Sequence, residues 1–143
     1  MKKTIIILIT LIMTNTAGCA QSNKESIIGK TYQAEVEHIT GKMLGGGFNE
    51  ITYCYLRFET DSVEITHRKI RETSIYGEVN NSEKYETKTC KWKLQNEEII
   101  IENFNDYGQL IFRADQIFGK DRFGNELIFS RKEEKIMLKT GIV

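Results

Sequence analysis

Apolar and polar residues alternate with a period of two along most of this chain, and that period decides what it can fold into. In residues 31–39, Tyr32, Ala34, Val36 and His38 fall on one face and Gln33, Glu35 and Glu37 on the other. Residues 51–58 are aromatic on both faces, with Cys54, Leu56 and Phe58 forming the more apolar set. In 62–70, Val63, Ile65 and His67 oppose Glu64, Thr66 and Arg68, and in 85–94, Cys90, Trp92 and Leu94 oppose Thr89, Lys91 and Lys93. Successive side chains of a strand point to opposite faces, so each segment reads as a half-buried strand.

The downstream half continues the pattern. Residues 97–104, 109–114, 116–120 and 126–132 are rich in Ile, Phe and Leu, and "QNEE", "NDYG" and "GKDRFGN" separate them. Asn, Asp and Gly favour turns through side-chain hydrogen bonds to the backbone and tolerance of positive φ. Links this short force antiparallel neighbours, so the expected fold is all-β: an antiparallel meander of about eight strands, closed as an up-and-down barrel or strongly curved. An extra hairpin is expected in 74–85, turning at Asn80-Asn81-Ser82; the end of the chain, 132–143, reads equally as a short helix or a last strand. Over residues 28–131 this layout resembles the lipocalin-like barrels of small bacterial lipoproteins. In Gly29-Lys30-Thr31-Tyr32 the aromatic stands one place later than in the lipocalin Gly-x-Trp motif, with Tyr for Trp.

The N-terminus carries an address. Lys2 and Lys3 precede an apolar run, Thr4 to Met13, which is too short to span a ~30 Å hydrocarbon layer as a helix. Thr16-Ala17-Gly18-Cys19 then resembles the lipobox of bacterial lipoproteins, with Thr16 where Leu is commonest. The resemblance implies a signal peptide over 1–18, diacylglycerol on the Cys19 thiol with a further fatty acyl chain (commonly palmitate) on the new amino terminus, a polar tether over 19–27, and a single β domain over 28–143. The alternative is an ordinary secretory signal cut after Ala20. Two acyl chains hold a protein stably at a bilayer where one does not. Ala20 after the cysteine implies an outer-membrane location in a host that has one, on its periplasmic or surface face.

Charge excludes some partners. The chain has 20 basic and 20 acidic residues, and two of the basic ones are in the leader, so nothing supports nucleic-acid binding. The short cluster "HRKIR" at 67–71 reads as a solvated strand face. With Cys19 acylated, Cys54 and Cys90 remain as an even pair in an oxidising compartment. A disulfide between them is one reading; two buried thiols on separate strands is the other.

Few residues point to chemistry. The Gly-rich stretch 40–50, "TGKMLGGGFNE", lacks both nucleotide-binding glycine patterns and reads as a flexible linker. The alternative is a flap over a barrel mouth, with Met43, Leu44 and Phe48 as its apolar contacts. His38 and His67 are the only histidines and stand apart from other soft ligands, so no metal site and no cofactor is expected. No nucleophile carries a local activating signature, and no catalytic residue is assigned. Tyr32, Met43, Leu44, Phe48, Leu56, Phe58 and Trp92 are the expected lining of an apolar ligand site. The sequence thus describes a non-enzymatic, lipid-anchored envelope protein binding a small apolar ligand. The alternative is a protein-binding module, such as an inhibitor or immunity protein, that uses an outward patch around Ile51, Tyr53 and Tyr55.

Overall fold

A computed structural model describes residues 24–133. The leader, Cys19, the first part of the tether and residues 134–143 lie outside the described residues. One helical turn, 24–27, leads into eight strands. They are β1 Thr31–Met43, β2 Gly46–Phe58, β3 Ser62–Ile75, β4 Glu78–Gln95, β5 Glu98–Ile101, β6 Leu110–Arg113, β7 Gln116–Lys120 and β8 Glu126–Arg131. Each pairs antiparallel with the next, and β8 returns to β1 through Tyr32↔Arg131 and Gln33↔Ser130, closing an eight-stranded up-and-down barrel.

The strands are unequal, and this shapes the molecule. β1 to β4 have 13 to 18 residues each, β5 to β8 only four to six. β4 meets β5 only over Trp92–Gln95, and β1 meets β8 only at Tyr32 and Gln33. Above the closed part, the four long strands therefore continue as an open, curved sheet.

Two features of this sheet differ from the sequence reading. The glycine-rich stretch is neither linker nor flap: β1 and β2 run through it and turn tightly at Leu44-Gly45. Glycine is required at position 46, because a Cβ there would run into the Ser74 carbonyl of β3. The next hairpin turns at Tyr76-Gly77 rather than at Asn80-Asn81-Ser82, with φ of 48° and 83°. Positive φ at both central residues marks a type I′ turn, whose twist matches that of paired strands. Asn80, Asn81 and Ser82 are ladder residues opposite Thr73, Glu72 and Arg71. The two tips lie side by side, joined by a Tyr76 N–H to Gly45 carbonyl bond of 2.8 Å.

A third difference is a β-bulge. Glu35 pairs with Tyr53 and Glu37 with Thr52, so one extra residue on β1 shifts the register. Such an insertion exchanges the faces of all that follows. Tyr32 and Ala34 face the core as expected, but beyond the bulge Glu37 takes the inner face and His38 the outer one. There His38 Nε2 lies 2.5 Å from Asn49 Oδ1.

The core occupies the closed part. Tyr32, Leu56, Phe58, Val63, Ile65, Ile117 and Phe129 are fully buried, and Ile27 from the helical turn joins them. Ile27 was expected in the tether; it instead seals the closed pole, where Gly29 N–H donates to the Phe58 carbonyl at 2.8 Å. Asp115 latches the same pole: it accepts a 2.8 Å hydrogen bond from the Tyr32 hydroxyl and pairs with Lys30 and Arg131. Burial pushes the Asp115 carboxyl up, but these partners outweigh it and hold its pKa below the usual range.

Cys54 and Cys90 are not bridged; both thiols are free. Cys54 pairs with His67 across β2–β3 and Cys90 with Val63 across β3–β4, so β3 lies between them. Two strand spacings amount to ~9.5 Å, beyond the reach of a disulfide even before the offset of four residues along β3.

Candidate functional site

The inner faces of β2, β3 and β4 change character at one level. From the closed pole, β2 presents Phe58, Leu56 and Cys54, then Thr52 and Glu50; β3 presents Val63 and Ile65, then His67, Lys69 and Arg71. On β4, Trp92 and Cys90 give way to Lys88, Glu86, Lys84 and Ser82. Strand alternation carries the inner face from the barrel onto the open sheet, so side chains that fill the core below line a concavity above.

That concavity is a cup of about 940 Å³, bounded by β1 through Glu37 and by the 102–109 loop through Asp106. Mixed charges line it. Glu50 forms ion pairs with Lys69 at 3.3 Å and Arg71 at 3.8 Å, and Glu37 is held by Arg122 of the β7–β8 turn at 2.9 Å. Higher on the same face Phe48 lies across Gly41, with the Arg71 guanidinium 4.3 Å from its ring centre. A guanidinium over an aromatic face is a favourable cation–π pair.

The 102–109 loop makes the floor. Phe104 and Tyr107 drop from it into the core, where Tyr107 packs edge-on to Phe104 and Phe129 at 5.6 and 5.5 Å. The Tyr107 hydroxyl reaches up to lie 2.6 Å from His67 Nε2, and it also hydrogen-bonds the Cys54 thiol. Burial pushes that thiol up to about 12, and burial likewise raises the Tyr107 phenol. Burial lowers the pKa of His67, so the thiol, phenol and imidazole that meet here are uncharged at neutral pH. A thiol held protonated is a poor nucleophile.

The expected ligand-site residues divide three ways. Tyr32, Leu56, Phe58 and Trp92 belong to the filled core; Phe58 stacks edge-on to Trp92 at 4.8 Å and to Tyr32 at 6.1 Å. Met43 and Leu44 sit at the first hairpin tip, with Leu44 89% exposed. Only Phe48 stands on the concave face near the cup. Among the described residues no group of three acidic, His or Cys side chains could hold a metal.

The residues that do line the cup, Glu50, Thr52, Lys69, Arg71, Lys84, Glu86 and Lys88, were absent from that expectation. Their signal was present in the alternation itself. Carrying the Val63–Ile65–His67 face two steps further reaches Lys69 and Arg71, so three of the five residues of "HRKIR" face inward. On the outer face, Tyr55, Arg68, Tyr85 and Lys132 border a shallower hollow of about 260 Å³, with Glu83 bound to both Arg68 and Tyr85.

No protein-family model, no curated protein and no solved structure matches this chain.

Proposed function

We propose that this protein is a lipid-anchored binding protein of the cell envelope, without catalytic activity, that holds a small polar ligand in the cup above its barrel. The single observation that carries the reading is the 940 Å³ concavity lined by charged and hydroxyl side chains directly above a packed apolar core. A ligand site needs a concave surface and converging polar groups, and the open half of the sheet supplies both. Of the residues expected to line an apolar site, Tyr32, Leu56, Phe58 and Trp92 fill the barrel against one another, so the reading rests on the polar cup instead. The absence of catalysis rests on the floor, where the neighbouring thiol and imidazole are held neutral and hydrogen-bonded to a phenol.

The anchor rests on the lipobox resemblance at Thr16-Ala17-Gly18-Cys19. A second reading, a protein-binding module, draws on Leu44 and Tyr76, which are 89% and 78% exposed on adjoining hairpin tips. Large exposed apolar side chains set side by side suit a protein partner.

Mass spectrometry of the protein extracted from membranes tests the proposal. The expected result is a chain beginning at Cys19 and heavier by diacylglycerol, with a small polar compound released on denaturation. A chain with its leader uncut, or a Cys19→Ser variant still bound to membranes, would overturn the anchor. A chain that carries no compound and takes up none from an envelope extract would overturn the ligand.

A further inference from the structure

The upper rows of the cup hold three cations and one acid. Strand register places Thr52, Lys69 and Lys84 in one row across β2, β3 and β4, and Glu50, Arg71 and Ser82 in the next row toward the tips. Lys69 and Lys84 are therefore directly opposed on one face of neighbouring strands, with Cβ atoms about 4.5–5.5 Å apart in such pairs. Like charges at that position destabilise a sheet. Glu50 answers Lys69 and Arg71 together, and the Lys84 ammonium has no ion pair or hydrogen bond among the described residues.

The other acids of the cup are placed elsewhere. Glu37 is engaged by Arg122. Glu86 lies one row nearer the floor, opposite His67, and Asp106 acts on His67 and Cys54. The upper rows thus keep an uncompensated positive charge.

A second observation falls at the same point. Thr52 is only 7% exposed, lines the cup, and its Oγ1 has no hydrogen-bond partner among the described residues. Buried hydroxyls are nearly always paired, and leaving one unpaired is destabilising. An opposed lysine pair and an orphan hydroxyl in one row are two local penalties that a single guest of the right charge would relieve. An oxyanion would accept from both ammonium groups, from the Arg71 guanidinium beside them and from a hydroxyl.

We propose that the ligand of the cup is a small molecule bearing a carboxylate or phosphate, whose anionic group is seated between Lys69 and Lys84 beside Thr52, with Arg71 and Ser82 in the adjoining row. This inference rests on the reading of the cup as the ligand site and names the chemistry of its occupant. The same anionic chemistry is available from a free solute or from a phospholipid headgroup.

The test is a titration of the protein, followed by backbone amide NMR, with citrate, inorganic phosphate, phosphatidylglycerol vesicles, glucose and spermidine in separate arms. The expected result is saturable shifts at residues 52, 69, 71, 82 and 84 with citrate or phosphate. Lys69→Gln and Lys84→Gln should each weaken that binding by roughly tenfold or more, as loss of a charged hydrogen bond implies. Localised shifts with vesicles alone would assign the phosphate to a lipid headgroup. Lys84→Gln should also raise the melting temperature of the unliganded protein, since it removes an opposed like charge rather than an ion pair; a lowered one would overturn the opposed-charge argument. Shifts at these residues with glucose or spermidine only would overturn the anionic assignment and leave the cup a ligand site. Silence in every arm would overturn both.

Discussion

Thr52→Val separates the two roles of one hydroxyl. The substitution keeps the volume and the β-branch, so the strand and the packing beneath it are undisturbed. It replaces a buried Oγ1 that has no partner among the described residues with a methyl group. Removing an unpaired buried hydroxyl recovers about 1–3 kcal/mol, and a newly buried methyl contributes about 0.8 kcal/mol at most. A net gain of about 2 kcal/mol is expected. At an m-value of about 2 kcal/mol/M in urea, the unfolding midpoint should rise by roughly 1 M. Trp92, the single tryptophan of the chain, is buried against Phe58 and reports the transition by fluorescence. The same variant should bind citrate or phosphate more weakly, so stability and binding move in opposite directions. A midpoint equal to or below that of the parent would show that the hydroxyl is already satisfied, and the argument built on it would fall.

Three further outcomes follow from the core and the floor. Phe58→Ala, at a fully buried site touching both Tyr32 and Trp92, should cost about 3–5 kcal/mol in urea unfolding, against under 1 kcal/mol for Phe123→Ala at the exposed β7–β8 turn. Burial lowers the pKa of His67, so between its unfolded value near 6.5 and its lower folded value the unfolded chain binds more protons. Stability should be complete above about pH 6.5 and decline as pH falls through that window, and His67→Gln should flatten the slope there in thermal melts. With its thiol pushed up to about 12 and fully buried, Cys54 should resist iodoacetamide in the native protein and react after denaturation, as read by peptide mass mapping. Rapid native labelling would mean that the 102–109 loop does not cover the thiol.

The closed barrel was legible because period-two alternation and short links leave an antiparallel meander few alternatives. All eight strands fall on segments that the alternation marks. The lengths of the first four did not show. Gly46 and Gly47 resemble loop residues in composition but are ladder residues, admitted because β3 approaches too closely for a side chain at position 46. Asn80-Asn81-Ser82 has better turn composition than Tyr76-Gly77, yet register with β3 decided the hairpin. The bulge at 35–37 was hidden because Glu35 and Glu37 suit either face of an open sheet. The floor was hidden for a different reason. "NDYG" reads as a turn, and nothing local says that Phe104 and Tyr107 fold inward onto a core assembled from strands far away in sequence. Where a strand leaves the core its inner face no longer needs apolar residues, so an alternation rule that equates inward with apolar misassigned Lys69 and Arg71.

The helical turn at 24–27 packs beneath Phe58 and Trp92, with the Lys24 ammonium 5.2 Å from the Trp92 ring centre. The hairpin tips lie at the other extreme, and the rise of β1 from Tyr32 to Met43 puts them roughly 35 Å away. The anchor proposed ahead of residue 24 would therefore join the domain at its closed pole. A molecule moored as proposed has its recess and its two hairpin tips at the end of the barrel away from the point of attachment. Encounter with solutes, or with a large visitor, then needs no detachment.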